Sequence, residues 1–300
     1  MSASQNKILV AIYCIVYNHE PYLRDCLEGF VMQKTNFSFV AVVHDDASTD
    51  KSADVIREYA EKYPEIILPI YETENLWSKH NGSIDRIVYK TIDSIGAKYV
   101  AMCEGDDFWI DPYKLQKQVD YMEAHPNCSC CAHNSLCLNT QTSEIRLFNR
   151  KIYGIQDYTL DTFLVNGWFT PTASLLYKRE AYLRLEDLPS FIHGDYTILL
   201  NILLKEGSYL HYDNQIMSVY RDGGWASSHY EDRQVELCDD FIALLQYFKD
   251  KSNHRCDSIF DSCIAKQNEY KSLLIKQKKE KQKSRGLLSR MRKIARKLLS

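Results

Sequence analysis

Carboxylates dominate the residues of this sequence that could do chemistry. The densest group is the run Glu104-Gly105-Asp106-Asp107, in which three acids fall within four positions. Carboxylates this close repel one another unless a cation neutralises them. Mg²⁺ and Mn²⁺ take oxygen ligands and are commonly completed by substrate phosphates. A solvated turn is the alternative, but Asp111-Pro112 already begins the next helix, so the run is not needed for capping. We therefore predict a Mg²⁺ or Mn²⁺ site.

A second acidic turn, Asp45-Asp46-Ala47-Ser48-Thr49-Asp50, follows an apolar run. Ser48 to Asp50 fit a capped turn before a helix, but Asp45 and Asp46 precede the cap and stand where a base or ribose would be bound. The chain has no G-x-x-x-x-G-K-[ST] and no G-x-G-x-x-G. This absence disfavours P-loop and dinucleotide-binding proteins, so a nucleotide must be held by other means.

The elements that must position these acids alternate in the first half of the chain. Apolar runs predict strands over 7–13, 37–44, 66–71 and 98–103, and helical spacing predicts helices over 20–32, 51–62, 83–95 and 112–124. This alternation is typical of an α/β fold with a parallel sheet and helices on both faces. Ligands of such sheets bind outside the carboxyl ends of the strands. Both acidic turns follow strands there.

The second half of the chain is less regular. Strands are expected over 128–138, 173–177 and 209–220, a helix over 194–205, and helical structure from 229 onward. We therefore expect an α/β domain over residues 1–228 and a helical extension over 229–300.

Charge is distributed unevenly along the chain. Residues 271–300 carry twelve Lys or Arg against one acid, Glu280, while the rest carries 25 basic and 39 acidic residues. The acidic body argues against nucleic-acid binding. Apolar positions at helical spacing from 287 onward predict an amphipathic helix, and we expect residues 270–300 to bind an anionic membrane surface. Docking on the body or on another subunit is the alternative.

Two further features bear on location. The ten cysteines are spread thinly and form no C-x-x-C, which favours reduced thiols in a cytoplasmic protein. Apolar runs stay below the roughly 20 residues that span a bilayer. We expect a cytoplasmic protein that is peripheral on the inner face of the plasma membrane.

The first 130 or so residues resemble glycosyltransferase family 2, which has the GT-A fold. The resemblance lies in Tyr17-Asn18-His19-Glu20-Pro21-Tyr22-Leu23, in the turn 45–50, and in Glu104 to Trp109 with Asp111-Pro112 and Lys114-Leu115. It implies that the first two segments hold the nucleoside and that the acidic run binds metal and diphosphate. The implied donor-binding residues are Tyr17 on the base, Asn18 beside it, Asp45 or Asp46 hydrogen-bonded to the base, Arg86, Asp106 and Arg221; the implied metal ligands are Asp106 and Asp107.

The family's general base lies in an acidic pair that opens a helix. Asp195 takes that position by resemblance, with Gly194 in place of the usual Glu, while a helix N-cap is the alternative reading of Asp195. Trp168, Thr170 and Thr172 would precede a strand that lines the acceptor cleft. Arg221, in the segment 220–225 that resembles a loop closing over the donor, would face the diphosphate or form a surface ion pair.

Two positions depart from the family pattern. Glu104 stands where the family more often has Asp. Ala47 replaces the commoner Gly, which matters only if that position requires a positive φ.

The resemblance implies an inverting, metal-dependent glycosyltransferase of bacterial polysaccharide or lipopolysaccharide synthesis. Its nucleotide-binding half would be residues 1–125 and its acceptor-binding half 126–228. The donor would be a nucleotide-diphospho-sugar, by default a UDP-sugar, and the acceptor a saccharide or lipid-linked molecule. Two alternatives stay open: a sugar nucleotidyltransferase, and a non-catalytic protein that binds nucleotide sugar or acts as a scaffold.

Overall fold

The computed structural model describes residues 7–79, 81–150, 156–182, 188–189, 191–222 and 225–298. Two compact units divide the chain. One comprises Met1–Ser190 with Gly194–Ser227, and the other comprises Phe191–His193 with Ser228–Ser300. The first contains a ten-stranded sheet and the shorter helices, and the second contains most of the two long C-terminal helices.

The sheet begins with four parallel strands that alternate with helices, as the sequence predicts. The strands are β1 (Ile8–Val16), β2 (Ser38–Asp45), β3 (Ile67–Tyr71) and β4 (Tyr99–Met102), in the spatial order β3-β2-β1-β4. The helices are α1 (Glu20–Val31), α2 (Ser52–Lys62), α3 (Ser83–Ile95) and α4 (Lys114–Ala124). Each predicted boundary in this half lies within three residues of the observed one.

Strand β1 is buried on both faces, as its continuous apolar sequence predicts. Val10, Ile12 and Cys14 belong to one core cluster with the buried side chains of α1, α2 and α4. On the opposite face, the ring of Tyr13 packs 5.1 Å from that of Tyr89 on α3. Helices therefore cover both faces of the parallel half.

The second half adds shorter strands and makes the sheet mixed. These are β5 (Phe108–Trp109), β6 (Cys128–Asn139), β7 (Ile145–Leu147), β8 (Gln156–Tyr158), β9 (Leu176–Lys178) and β10 (Tyr209–Asp222). The order continues β4-β9-β6-β10-β5, with β7 on β6 and β8 on β10. Only β6 and β10 pair in parallel among these later strands of the described chain. The helices between them are α5 (Leu160–Asn166), α6 (Arg179–Tyr182) and α7 (Gly194–Leu203).

The strand predicted over 173–177 begins later than expected. A 3₁₀ turn covers Thr172–Ser174, because both the backbone N–H and the hydroxyl of Ser174 donate to the carbonyl of Pro171, at 2.9 and 2.6 Å. The extended backbone of β9 therefore starts only at Leu176.

The second unit is helical, as expected from residue 229 onward. Helix α8 spans Trp225–Lys251 and helix α9 spans Asp257–Leu298. Between them Asn253, His254 and Cys256 have positive φ, which ends α8 and starts a new helix. Neither these nor the other helices of the described chain are apolar enough over a sufficient length to cross a bilayer. The cysteines of the described chain form no disulfide bond.

Candidate active site

The carboxyl ends of β1, β2 and β4 lie side by side. Val16 at the end of β1 is in register with Asp45 of β2, and Tyr13 with Met102 of β4. Beyond Met102 the chain stays against β1, since the backbone N–H of Gly105 donates to the carbonyl of Ile15 at 3.0 Å. The two acidic turns therefore flank the end of β1, as the sequence predicts.

Gly105 lets the acidic run pack closely against β1. A Cβ atom at this position would lie 2.8 Å from Nδ1 of His19 and 2.9 Å from Cγ2 of Val16. The Nε2 atom of His19 is in turn 4.0 Å from Oδ2 of Asp106. Burial lowers the pKa of His19, and the negative charge of Asp106 opposes this effect. The segment Tyr17 to Leu23 contains His19, but no sequence pattern indicates its contact with Asp106.

Asn18 connects the loop after β1 to the loop after β2. Its φ is 56°, and its side-chain oxygen accepts a hydrogen bond from the N–H of Thr49 at 2.8 Å. In the other direction, the N–H of Asn18 donates to the hydroxyl of Ser48 at 2.9 Å. Asp50 adds a second connection, accepting from the N–H groups of Glu20 and Ser52 that begin α1 and α2. Asn18 thus lies beside the predicted nucleoside site, and its side-chain oxygen already accepts a hydrogen bond from Thr49.

Asp45 and Asp46 differ sharply in their contacts. Asp46 is completely buried, and its two oxygens accept from the backbone N–H groups of Leu76 and Trp77 at 2.7 and 3.0 Å. Asp45 accepts only a long bond of 3.3 Å from Ser48 on Oδ2, and its buried Oδ1 has no partner among the described residues. An unpaired buried oxygen is costly unless a ligand supplies a donor. Asp45 therefore has the oxygen that a base N–H could satisfy, while Asp46 holds the loop after β3.

Two exposed aromatic rings lie on backbone that neighbours these carboxylates in the fold. Tyr17, the predicted base-packing residue, is 40% exposed directly after β1. Trp77 is 51% exposed, and Asp46 fixes its backbone. No spacing pattern indicates Trp77, because its position depends on a hydrogen bond between residues 31 positions apart.

Asp107 and Arg221 are joined across the sheet. The backbone N–H of Arg221, near the end of β10, donates to Oδ1 of Asp107 at 2.8 Å, and Asp107 is only 3% exposed. The guanidinium of Arg221 donates to the carbonyl of Asp106 at 2.6 Å and to Asp25, and it lies 4.4 Å from the ring of Phe108. Arg221 is thus buried against the acidic run, and it also forms an ion pair with Asp25, whose side chain is 58% exposed. Of the segment 220–225, for which the resemblance predicts a loop, Tyr220, Arg221 and Asp222 belong to β10, while Gly223 and Gly224 lie outside the described residues.

The acidic run concentrates negative charge. Burial, together with the charges of Asp106 and Glu104, raises the pKa of Asp107 well above its usual value, and the hydrogen bond from Arg221 opposes this. Desolvation by neighbouring protein atoms, together with the negative charges of Asp106, Asp195 and Asp85, raises the pKa of Glu104.

Asp195 contributes through its charge to the raised pKa of Glu104, although 91 positions separate the two residues in the sequence. It lies in the first turn of α7, where its Oδ1 accepts from the N–H of Tyr196 at 2.7 Å. Its Oδ2 accepts from the indole N–H of Trp168 at 2.8 Å. The sequence placed Trp168 near the acceptor cleft but could not predict this hydrogen bond.

Arg86 lies in the first turn of α3 and donates to the carbonyl of Asn81 at 2.8 Å. Its neighbour Asp85, which we did not single out, accepts from the hydroxyl of Tyr13 at 2.6 Å. Burial raises the pKa of Asp85, and its charge contributes to the raised pKa of Glu104. At this edge α3 therefore supplies a carboxylate in addition to the predicted arginine.

The acidic run fits a divalent cation, although the protein alone does not complete a site. Among the described residues, no group of three or more His, Cys, Asp or Glu side chains converges on one point. Carboxylate oxygens are the ligands that Mg²⁺ and Mn²⁺ prefer, and a cation would offset the burial and the mutual repulsion that raise the pKa values of Glu104 and Asp107. Such a partial oxygen set is suited to a metal that also binds phosphates.

Solved structures establish the fold. The Staphylococcus aureus protein TarS, residues 1–349 in complex with UDP-GlcNAc, superimposes with a TM-score of 0.59 at 16% identity, covering 79% of this chain and 66% of TarS. The mannosyltransferase PcManGT from Pyrobaculum calidifontis, in complex with GDP-Man and Mn²⁺, gives a TM-score of 0.58 at 15% identity. The superposition covers 90% of this chain and 74% of PcManGT. Both have the GT-A fold, so the predicted fold class is confirmed.

Sequence relatives extend over much of the chain. The uncharacterized protein Rv1520 of Mycobacterium tuberculosis is 33% identical over 230 residues, which cover 75% of this chain and 62% of Rv1520. The amylovoran biosynthesis glycosyltransferase AmsE of Erwinia amylovora is 26% identical over 120 residues, 39% of this chain and 42% of AmsE. The matched part thus spans less than two thirds of either relative.

The model of the family named glycosyl transferase family 2 matches residues 12–185, a segment that contains both acidic turns and Trp168. This segment is more than half of the 300 residues, and its strands and helices are those of the sheet described above. The chain therefore belongs to glycosyl transferase family 2.

Proposed function

We propose that this protein transfers a sugar from a nucleotide-diphosphate donor to an acceptor hydroxyl, with inversion at the anomeric carbon. The observation that carries the proposal is that the acidic run packs against the end of β1, where the backbone N–H of Arg221 binds the buried Asp107. Direct displacement needs a base on one side of the anomeric carbon and charge stabilisation for the leaving group on the other. Family membership supports this chemistry, and AmsE, named for amylovoran biosynthesis, supports a role in cell-surface polysaccharide or lipopolysaccharide synthesis.

The donor would bind at the carboxyl ends of β1, β2 and β4. Tyr17 offers an exposed ring to the base, and the unpaired Oδ1 of Asp45 offers an acceptor to a base N–H. Asn18 and Asp46 would act by holding the surrounding loops. A UDP-sugar is our default donor, supported by the UDP-GlcNAc complex of TarS; the GDP-Man complex of PcManGT identifies the main competitor.

Asp106 and Asp107, with Glu104 beside them, would hold Mg²⁺ or Mn²⁺, and the Mn²⁺ complex of PcManGT supports this. A bound divalent cation would neutralise the charge that grows on the departing diphosphate. The buried Arg221 contributes a fixed positive charge next to the carbonyl of Asp106. Because Asp107 already accepts from the N–H of Arg221, its second oxygen is the one that would face a ligand.

Asp195 would act as the general base. It takes the proton of the acceptor hydroxyl while the hydroxyl oxygen bonds to the anomeric carbon. The bond between that carbon and the diphosphate oxygen breaks in the same step, and its electron pair leaves with the nucleotide diphosphate. One displacement inverts the configuration and requires no covalent sugar–enzyme intermediate, unlike a retaining hydrolase.

A thermal-shift screen of nucleotide sugars with and without Mn²⁺ tests the donor and metal assignments. We expect one nucleotide series to raise the melting temperature, and only with the metal. Release of pyrophosphate from a nucleoside triphosphate and a sugar phosphate would instead identify a sugar nucleotidyltransferase.

Asp195→Asn tests the base. We expect the transfer rate to fall by about 100-fold or more, because an amide cannot take the proton, while the donor-induced thermal shift is retained. Asp161→Asn is the matched control, since Asp161 also lies in the first turn of a helix, α5, and should leave the rate unchanged. Full transfer by Asp195→Asn would contradict the assignment.

The basic tail, which we define as residues 270–300, would bring the enzyme to a membrane-associated acceptor. Helix α9 continues through the cationic segment to Leu298, although the side chains from 282 onward lie outside the description. A helix with an apolar stripe and many cations is suited to an anionic leaflet.

A further inference from the structure

Trp168 is presented on the surface by a rigidly anchored segment. Gly167, with φ of 72°, ends α5 and turns the chain toward Trp168. The next residue, Phe169, is buried and packs with its ring centroid 4.6 Å from that of Tyr158 and 5.5 Å from that of Tyr212. Trp168 itself remains 49% exposed. A large ring that is half exposed on a fixed backbone is a common feature of binding surfaces.

The indole of Trp168 makes a directed contact with Asp195. Its N–H donates to Oδ2 of Asp195 at 2.8 Å, while Oδ1 accepts from the backbone of Tyr196. Hydrogen bonds to a carboxylate are stronger than those between neutral groups. The two bonds together restrict rotation of the carboxyl group. Each carboxylate oxygen has two lone pairs, so the indole bond alone does not prevent Oδ2 from accepting from a hydroxyl.

An aromatic row, defined here as Trp168, Phe148 and Tyr220, leads from Asp195 to the acidic run. Phe148 packs edge-on against both neighbours, with centroids 5.3 Å from Trp168 and 5.4 Å from Tyr220. Tyr220 directly precedes Arg221, whose backbone N–H donates to Asp107 of the acidic run at 2.8 Å. The row therefore connects the base to the region that would hold the leaving diphosphate.

We infer that Trp168 positions Asp195 through its N–H and provides the surface on which a ring of an acceptor saccharide stacks. Sugar rings have an apolar C–H face that packs on aromatic rings, while their hydroxyl groups project from the edge toward hydrogen-bonding partners. A sugar on Trp168 would thus direct a hydroxyl at Asp195. This inference rests on the proposed function and narrows the acceptor class to saccharides, in preference to simple alcohols or a lipid headgroup without a sugar ring.

Two substitutions separate the two roles. Trp168→Phe keeps an aromatic ring but removes the N–H, so kcat should fall about 10- to 100-fold with the acceptor KM nearly unchanged, because a hydrogen bond to a charged group is lost. Trp168→Ala also removes the ring, so the acceptor KM should rise about tenfold in addition. The donor KM should stay constant in both. Val165→Ala, at an exposed residue of α5, is the control and should behave as wild type.

The measurement uses the full chain with the donor found in the thermal-shift screen. Release of nucleoside diphosphate is followed with methyl glycosides of glucose, galactose and N-acetylglucosamine as acceptors, and with glycerol as the alcohol without a ring. Transfer to a methyl glycoside but not to glycerol, with the two predicted kinetic patterns, supports the inference. Equal rates with glycerol, or Trp168 variants that match wild type, would overturn it.

Binding provides a readout that does not depend on turnover. Saturation-transfer NMR with the same methyl glycosides should show contact with the protons of one ring face in wild type and in Trp168→Phe, and loss of the signal in Trp168→Ala. Signals that persist in Trp168→Ala, or none from any glycoside in wild type, would contradict stacking. If the wild type binds no nucleotide sugar, the proposed function fails. If the wild type binds and transfers a sugar but the Trp168 variants behave as wild type, only this inference fails.

Discussion

Asp45 and Asp46 are neighbours in the chain, but their side chains are in different surroundings. Asp46 bonds two backbone N–H groups of the loop after β3, whereas Asp45 retains a buried oxygen with no partner among the described residues. The sequence could not separate them, because a doublet of acids after a strand has the same pattern whichever member faces the protein.

Asparagine at each position should distinguish stability from binding. Asp46→Asn replaces one accepting oxygen by an NH₂ group, which leaves a backbone N–H unsatisfied and should lower the free energy of unfolding by about 1–3 kcal/mol. Asp45→Asn should lower it less, but should weaken donor binding about tenfold, since it removes a charged acceptor. Denaturant unfolding and titration with the nucleotide sugar measure the two effects. If Asp45→Asn lowered the stability more and Asp46→Asn weakened donor binding more, the roles of the two residues would be exchanged.

Ala47 adopts a backbone conformation that suits glycine. Its φ is 58°, in the left-handed region where a Cβ atom is strained. The family's usual Gly therefore has a physical reason, and this chain tolerates the strain. We predict that Ala47→Gly stabilises the protein by up to about 1 kcal/mol. Thermal unfolding measures this, with Ala60→Gly inside α2 as a control that should be destabilising. A fall in stability with Ala47→Gly would contradict the argument.

At the scale of elements, α4 is attached to β5 by a buried lysine. Lys114 is completely buried, its Nζ lies 4.1 Å from the centroid of Trp109, and it donates to Gln118 at 2.8 Å. Burial lowers its pKa to about 7. The titratable groups that interact with it lie directly after β4, on β6 and in the loop before α4: Cys103, Cys130, Cys131, His133 and Asp111.

This lysine should make stability depend on pH. The unfolded chain has a lysine pKa near 10.4, so above about pH 7 it binds more protons than the folded chain, and the contribution of Lys114 to stability rises with pH. We predict that the free energy of unfolding of wild type rises relative to that of Lys114→Met by up to about 3 kcal/mol between pH 7 and 9. Urea unfolding at several pH values measures it. Lys117→Met, at an exposed position of the same helix, is the control and should show no such trend. If the difference in unfolding free energy between wild type and Lys114→Met did not change with pH, the prediction would be wrong.

The elements that the sequence predicted well are those with local signals. The apolar run of β1 and the helical spacing of α3 are complete within their own segments, and both were located closely. The strands β5, β7 and β8 have two or three residues each and exist through pairing with β10 or β6, so no local pattern indicates them. The contact between Trp168 and Asp195 likewise joins residues from separate segments.

At the scale of the whole molecule, the basic tail and the acidic body suggest opposite behaviour toward an anionic membrane. Each cation near such a surface contributes about 1 kcal/mol. We predict that replacing Arg290, Arg292, Lys293 and Arg296 by Gln abolishes co-sedimentation with vesicles of phosphatidylcholine and phosphatidylglycerol. The wild type should not sediment with phosphatidylcholine alone.

The control for this experiment replaces four exposed lysines of the first unit by Gln: Lys34, Lys51, Lys62 and Lys90. It removes the same charge and should leave sedimentation unchanged. Equal loss in both variants would mean that net charge matters and not the tail.

The bond between the N–H of Arg221 and Asp107 spans 114 positions of the chain. During translation the acidic run that contains Asp107 leaves the ribosome well before its partner on β10 has been synthesised. At the usual 5–20 residues per second, this interval is roughly 6–23 seconds. A nascent chain that ends before residue 221 therefore has an acidic run without the hydrogen bond from Arg221. The enzyme should acquire affinity for its donor only late in synthesis, once β10 has paired with β6.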